Sequence, residues 1–219
     1  MGIRMSSARQ KGTAMDYRRK GRKEAFNLMR ARASRTKNAS AHPKDESGIK
    51  KAVKLSSVKD VLRLLPVPHA LIGGHAVSIL GHPRTTSDID VLVSPSDLED
   101  AVQALESQGG ERGAVLSIGG VTVRMPSGED VDIVSPGEPW VQDAVSGAAS
   151  TPHGMVATRP WIVLMKMWAS RGLQEDTDMV YMIKAMSPEE RRETRRMFRR
   201  WLPSDIEDLD QMIGLAKYA

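Results

Sequence analysis

Hydrophobic spacing divides most of the chain into two unlike parts. From Ser56 to Pro136, short apolar runs alternate with turns marked by glycine and proline. "VKDVLRLL" reads as a helix that Ser56 or Ser57 can cap. "PHALIGG" reads as a short strand entering a glycine turn, "HAVSILG" as a helix closed by Gly81, and "SDIDVLV" as a strand. "SPSDLEDAVQALESQGG" has a serine cap, apolar residues at helical spacing and a glycine stop, which predicts a helix. "AVLSI", "GVTVRM" and "DVDIVSP" predict three short strands. Beyond Pro152 the pattern is helical throughout. "TRPWIVLMKMWASRG" has Thr158 as cap and Pro160 in its first turn, and "EDTDMVYMIKAM", "SPEERRETRRMFRRW" and "PSDIEDLDQMIGLAKY" each open on their own start signal. The order predicts an α+β fold: a small mixed β-sheet flanked by helices over residues 55–155, then a helical lobe over residues 156–219.

Residues 1–54 fit neither part. Up to Ser40 the composition is Arg, Lys, Ala and Ser; a basic helix capped by Asp16 would bury only Phe26, Leu28 and Met29. "NASAHPKDESG" then reads as linker. This segment holds sixteen Lys and Arg against four Asp and Glu, a local +12 on a chain of net +5, so the remainder is acidic. A basic extension, disordered or partly helical, can gather RNA or DNA by counterion release, or it can be a solvated tail with no specific partner. Met5 and Met15 offer alternative starts. The basic N-terminus lacks the apolar middle of a signal peptide, and no apolar run approaches the roughly 18 residues of a membrane span. Cysteine is absent, which excludes disulfides and thiolate chemistry. A cytoplasmic protein with no membrane partner is the expectation.

Within "SDIDVLV" the pattern is interrupted by charge. Side chains at i and i+2 of a strand share a face, so Asp88 and Asp90 project together while Ile89 and Val91 face the other way. Paired carboxylates repel, and burying them is costly unless a partner compensates. A divalent cation is one such partner, since magnesium takes one or two carboxylates completed by water and substrate phosphates. Solvent, or a nearby Lys or Arg, is the other. The glycines favour the cation. Gly73 and Gly74, between a strand and a helix, let the backbone approach an anion closely. "EDVDIVSP" adds Asp130 and Asp132 at the same i, i+2 spacing, with Asp132 deeper in its apolar run. If the two strands are neighbours, one of these aspartates reaches the first pair.

"GG…TSDIDVLV" followed by the isolated "VDIV" resembles the nucleotidyltransferases of the DNA-polymerase-β superfamily. Within it, "GGHAVSILGHPRTTSDIDVLV" is similar to the bacterial nucleotidyltransferases related to abortive-infection toxins, and "LMKMWASRGLQEDTDM" is similar to their helix carrying Lys, Ala, Arg and a following Asp. The resemblance spans about residues 55–183. It implies transfer of a nucleoside monophosphate from an NTP to an acceptor hydroxyl, with release of pyrophosphate. Gly73 and Gly74 would hold the triphosphate. Asp88 and Asp90 would bind two Mg2+ ions, or Mn2+ in their place. Asp132 would be the third carboxylate, sharing a metal and favouring deprotonation of the acceptor. An antitoxin protein becomes an expected partner if the chain is a toxin. The acceptor is open among RNA, such as a tRNA 3′ end, a protein hydroxyl and a small molecule such as an aminoglycoside. A rival reading is a nucleotide- or RNA-binding module that has lost turnover; three clustered carboxylates argue against it.

Two departures from the family pattern stand out. Many relatives have Ser after the first glycine, whereas Gly74 offers only its N–H. In the helical motif Glu175 stands where a Lys is expected before Asp176, and the next acid is Asp178. Arg84, in the loop before the dyad, can meet a triphosphate oxygen or simply be solvated; Lys166, on an otherwise apolar helix, can contact phosphate or snorkel outwards, and Arg171 is a weaker third. His75 and His82 lack the further ligands that a zinc site needs. The Arg-rich stretch from Arg191 could track nucleic acid or simply be a solvated face. Trp140, Trp161 and Trp168 read as packing residues rather than base-stacking platforms.

Overall fold

The structure, a computed structural model, describes residues 55–169 and 173–218. The expectations on residues 1–54 and on Arg171 lie outside them. The described chain is an α+β fold built on a mixed seven-stranded sheet in the order β3-β4-β5-β2-β1-β7-β6. Its strands are β1 (His69–Leu71), β2 (Ile89–Val93), β3 (Glu111–Val115), β4 (Gly120–Arg124), β5 (Asp130–Val134), β6 (Ala149–Thr151) and β7 (Gly154–Val156). The helices are α1 (Leu55–Leu64), α2 (Gly73–Ile79), α3 (Leu98–Glu106), α4 (Val141–Ser146), α5 (Arg159–Ala169), α6 (Leu173–Ala185), α7 (Pro188–Trp201) and α8 (Ile206–Leu215). No described helix is long and apolar enough to cross a membrane.

The centre of the sheet follows from strand alternation. Ile89, Val91 and Val93 of β2 are fully buried, as are Val131 and Ile133 of β5. The two strands run parallel with Asp90 opposite Asp132. One face of this pair is therefore aliphatic, and the other carries the carboxylates. β1 lies antiparallel on the far side of β2, with Leu71 opposite Val91. Helix α3 packs over β3, β4 and β5, and α4 packs over β1 and β2.

Helices α5 to α8 pack on one another, α5 against α6 and α7, and α8 against α6 and α7. The start of α7 is sharp because Ser187 and Glu190 form a reciprocal capping box with Pro188 in the first turn. Two features differ from the sequence reading. The first hairpin strand pairs over Glu111–Val115 rather than "AVLSI", because Leu116 to Gly119 are taken up by the turn into β4. As an edge strand β3 is wholly exposed, so its burial pattern carries no signal. The β6–β7 hairpin and α4 are three- and six-residue elements, too short for periodicity to reveal.

Candidate active site

The site begins where β1 ends. Ile72 N–H donates to the Asp90 carbonyl at 2.9 Å, which ties the β1 exit to the middle of β2. The chain then turns through Gly73 at φ +63°, a left-handed conformation that glycine adopts without strain. A Cβ at this position would run into the Asp90 carboxylate. Gly74 is constrained in the same way, since a Cβ there would lie 2.8 Å from Arg84 Nη2 and from Thr86 Oγ1. The glycine pair thus permits close packing of α2 on the acidic strand.

Along the approach to β2, alternate residues Arg84, Thr86, Asp88, Asp90 and Leu92 all line one cleft. Asp132 and Val134 continue its floor across β5. The cleft measures about 300 Å3. Gly73, Gly74, Arg84, Asp88, Asp90, Asp132 and Lys166 therefore share a single opening. Asp130 is directed elsewhere and pairs with Arg124 at 3.1 Å.

The carboxylates are not equivalent. Asp90 is pushed up to about 6, by burial first and then by the charges of Asp132 and Asp88, against the opposing pull of Lys166 and Arg84. Asp132 is steadied from the opposite side, where Thr122 Oγ1 of β4 donates to its Oδ1 at 2.6 Å. Thr122, Asp132 and Asp90 thereby form a cross-strand row over β4, β5 and β2. Asp88 is exposed and accepts from Ser87 Oγ at 2.7 Å. Among the described residues no group of three His, Cys, Asp or Glu closes into a metal cage. Magnesium needs none, because water and phosphate oxygens complete its shell on one or two carboxylates. Asp90, strained by two neighbouring negative charges, has the chemistry that a cation relieves.

The cationic wall depends on a residue whose role the sequence did not reveal. Asp178 of α6 is fully buried, and its Oδ2 accepts Arg84 Nη1 at 2.7 Å and Lys166 Nζ at 2.8 Å. His82 Nε2 lies 3.8 Å from the other oxygen, and its ring stacks on Tyr181 at 3.9 Å. The only sequence signal was an acid spaced two residues beyond Asp176. Past the aspartates the cleft turns apolar, lined by Leu92, Val134, Ile118, Pro136 and Trp168. Trp168 donates to Glu138 at 3.3 Å and meets the buried Trp140 edge-on.

The fold is one that solved structures share. It is similar to the solution structure of the antibiotic-resistance factor ANT(2'')-Ia, with a TM-score of 0.50 and 14% identity over 69% of this chain and 94% of that one. A crystal structure of ANT(2'')-Ia in complex with adenylyl-2''-tobramycin gives a TM-score of 0.43 at 17% identity, over 76% and 99% of the two chains. JHP933 from Helicobacter pylori gives 0.41 at 13% identity, over 75% and 88%. At such identities the likeness is one of fold. No protein-family model matches the sequence, and no curated protein matches it.

Other residues singled out by their sequence take structural parts. His75 is buried beside Gly74, and its pKa is lowered by burial and by Arg84. Most of the Arg-rich helix α7 is engaged within the protein. Arg192 pairs with Glu189, Arg195 with Asp210 and Arg200 with Asp143, while Arg191 donates to the Lys184 carbonyl. Arg192, Arg196, Arg199 and Arg200 are all exposed, so the helix keeps a positive outer face.

The raised Asp90 sets a pH dependence. With a folded-state value of about 6 against an ordinary 3.8, the metal-free fold holds this proton more tightly than the unfolded chain does. Stability from this group is thus full below pH 4 and lost as pH rises through 6, a cost of about 3 kcal/mol at neutral pH. Asp90→Asn should remove the cost. In EDTA its melting temperature should exceed that of wild type above pH 6, and the gap should close near pH 4; a gap independent of pH would contradict the assignment.

Proposed function

We propose that this chain is a metal-dependent nucleotidyltransferase that moves a nucleoside monophosphate from an NTP to an acceptor hydroxyl. The observation that carries the reading is the cleft itself. Asp90 and Asp132 on adjacent parallel strands, and Asp88 just before β2, share one cleft with Arg84, Lys166 and the glycine turn. Asp88, Asp90 and Asp132 are the residues that would hold two Mg2+ ions, with Mn2+ as a substitute. Bound there, the metal supplies charge neutralisation on the reacting phosphate.

The protein's own groups do the rest. The bare Cα atoms of Gly73 and Gly74 let this turn pack closely on Asp90, Arg84 and Thr86, the groups that would meet the triphosphate. Arg84 and Lys166, held by Asp178, offset the charge of the β- and γ-phosphates. Asp132, fixed by Thr122, is placed to take the acceptor proton. The acceptor oxygen bonds to the α-phosphorus, the bond to the β-phosphate oxygen breaks, and pyrophosphate leaves. Alignment and charge compensation are the main catalytic effects.

RNA, through a 3′-terminal nucleotide, is the acceptor we favour. Beyond the aspartates the walls are the apolar Leu92, Val134, Ile118 and Pro136, which suit the planar face of a base better than a polycation. The second reading is an aminoglycoside-type small molecule, supported by the fold likeness to an antibiotic-resistance factor. Incubation with each labelled NTP, magnesium and either total RNA, total protein or aminoglycosides tests the two. Label in RNA supports the first reading, and label in the antibiotic replaces it with the second.

The roles of the β5 aspartates separate in kinetics. Asp132→Ala should lower kcat by about 10²- to 10⁴-fold with little change in NTP binding. Asp130→Ala, which removes only an exposed pair with Arg124, should stay within about threefold. The reverse ranking in steady-state assays would place the wrong carboxylate at the acceptor.

A further inference from the structure

We infer that Thr86 is a phosphate-positioning residue, its hydroxyl donating to the pyrophosphate portion of the NTP; the inference rests on the nucleotidyltransferase reading above. Thr86 precedes the acidic dyad in "RTTSDID" and passes in the sequence for an ordinary loop threonine. The fold gives it a specific place. It lines the cleft on the same alternation that brings in Arg84, Asp88 and Asp90. Its hydroxyl also stands over Gly74, with both its Oγ1 and Cβ 2.8 Å from where a Cβ of residue 74 would be. Arg84 Nη2 sits at the same distance from that point.

Two consequences follow. Glycine at 74 is required by Thr86 and Arg84, so the hydroxyl absent from residue 74 is present in the cleft but arrives from the neighbouring segment. That hydroxyl makes no hydrogen bond with any described residue. Thr122, whose Oγ1 donates to Asp132 from β4, does not line the cleft. Thr86 is thus an uncommitted donor beside a guanidinium, in the part of the cleft where an anion is neutralised.

Its position in the cleft selects which phosphate it meets. Thr86 stands over Gly74, whereas the carboxylate of Asp90, which faces Asp132 across the sheet, lies against Gly73, so Thr86 is set to one side of the Asp90–Asp132 pair. If the α-phosphate reacts beside that pair, Thr86 reaches the phosphates that leave. Pyrophosphate and NTP should feel its loss, and a nucleoside monophosphate should not.

Calorimetric titration of the full-length chain with inorganic pyrophosphate, each NTP and each NMP, in magnesium buffer, tests this. Thr86→Val keeps the shape and removes the hydroxyl; it should weaken pyrophosphate and NTP binding about 10-fold and leave NMP binding unchanged. Thr86→Ser keeps the hydroxyl and should bind within about twofold of wild type. Thr86→Ala provides a second hydroxyl-free variant should Val disturb the fold, with the same expected loss. Equal pyrophosphate binding in wild type, Val and Ala overturns the role, as does a Ser variant as weak as Val, which would show that shape matters rather than the hydroxyl. A wild-type chain that binds neither pyrophosphate nor any NTP overturns the nucleotidyltransferase reading as well, a result distinct from the other two.

Discussion

Asp90→Asn should abolish magnesium-dependent nucleotidyl transfer, by at least about 10³-fold in kcat/KM, while leaving the protein folded. The substitution keeps the volume and one carbonyl oxygen in a position packed against Gly73. What it removes is the charge that burial, Asp132 and Asp88 all oppose. In the absence of metal that removal is favourable, so loss of activity and gain of stability should appear in one variant. This pairing distinguishes a functional carboxylate from a structural one, whose loss would lower both. Steady-state transfer assays and thermal melts in EDTA on the same preparation provide the check. Near wild-type transfer would mean that the dyad is not the reacting site.

The second large effect is expected at Asp178, away from the reacting atoms. Its buried carboxylate holds Arg84 at 2.7 Å and Lys166 at 2.8 Å on one oxygen. Removing a shared counter-ion leaves two like charges side by side in a partly buried wall. Breaking a buried pair by deleting one partner typically costs about 3–5 kcal/mol, because the remaining charge is uncompensated. Asp178→Ala should therefore lower the denaturant midpoint substantially. Asp178→Asn, which preserves the shape, should stay folded and raise the KM for NTP by about 10- to 100-fold, with a smaller change in kcat. An unchanged KM in Asp178→Asn would show that Arg84 and Lys166 do not meet the phosphates.

How far the sequence could be read depended on the range of the interactions involved. The face shared by Asp88 and Asp90 was legible because period-2 alternation is local, and the fully buried Ile89 and Val91 lie on the opposite side as that alternation requires. Helices α5 and α7 were legible because the Ser187 cap and the first-turn prolines Pro160 and Pro188 act within four residues. Asp178 was visible only as an acid out of its expected place, since its partners are 94 residues away in Arg84 and across to α5 in Lys166. Thr122 and Thr86 gave no signal at all. A strand threonine and a loop threonine become informative only when a sheet register sets one beside Asp132 and a glycine turn sets the other over Gly74. The exposed β3 edge and the three-residue strands β6 and β7 lacked the length or burial on which periodicity depends.

The central claim is that the chain transfers the α-phosphate with its nucleoside, and position-specific labelling tests it most directly. Parallel reactions with magnesium and total RNA should use NTPs labelled at either the α- or the γ-phosphate. The account predicts acid-precipitable label from the α-position alone, γ-label released in pyrophosphate, and neither product with Asp90→Asn. Transfer of γ-label to the acceptor would make the protein a kinase and contradict the account, as would release of γ-label as free phosphate with no α-label incorporated in RNA, protein or antibiotic.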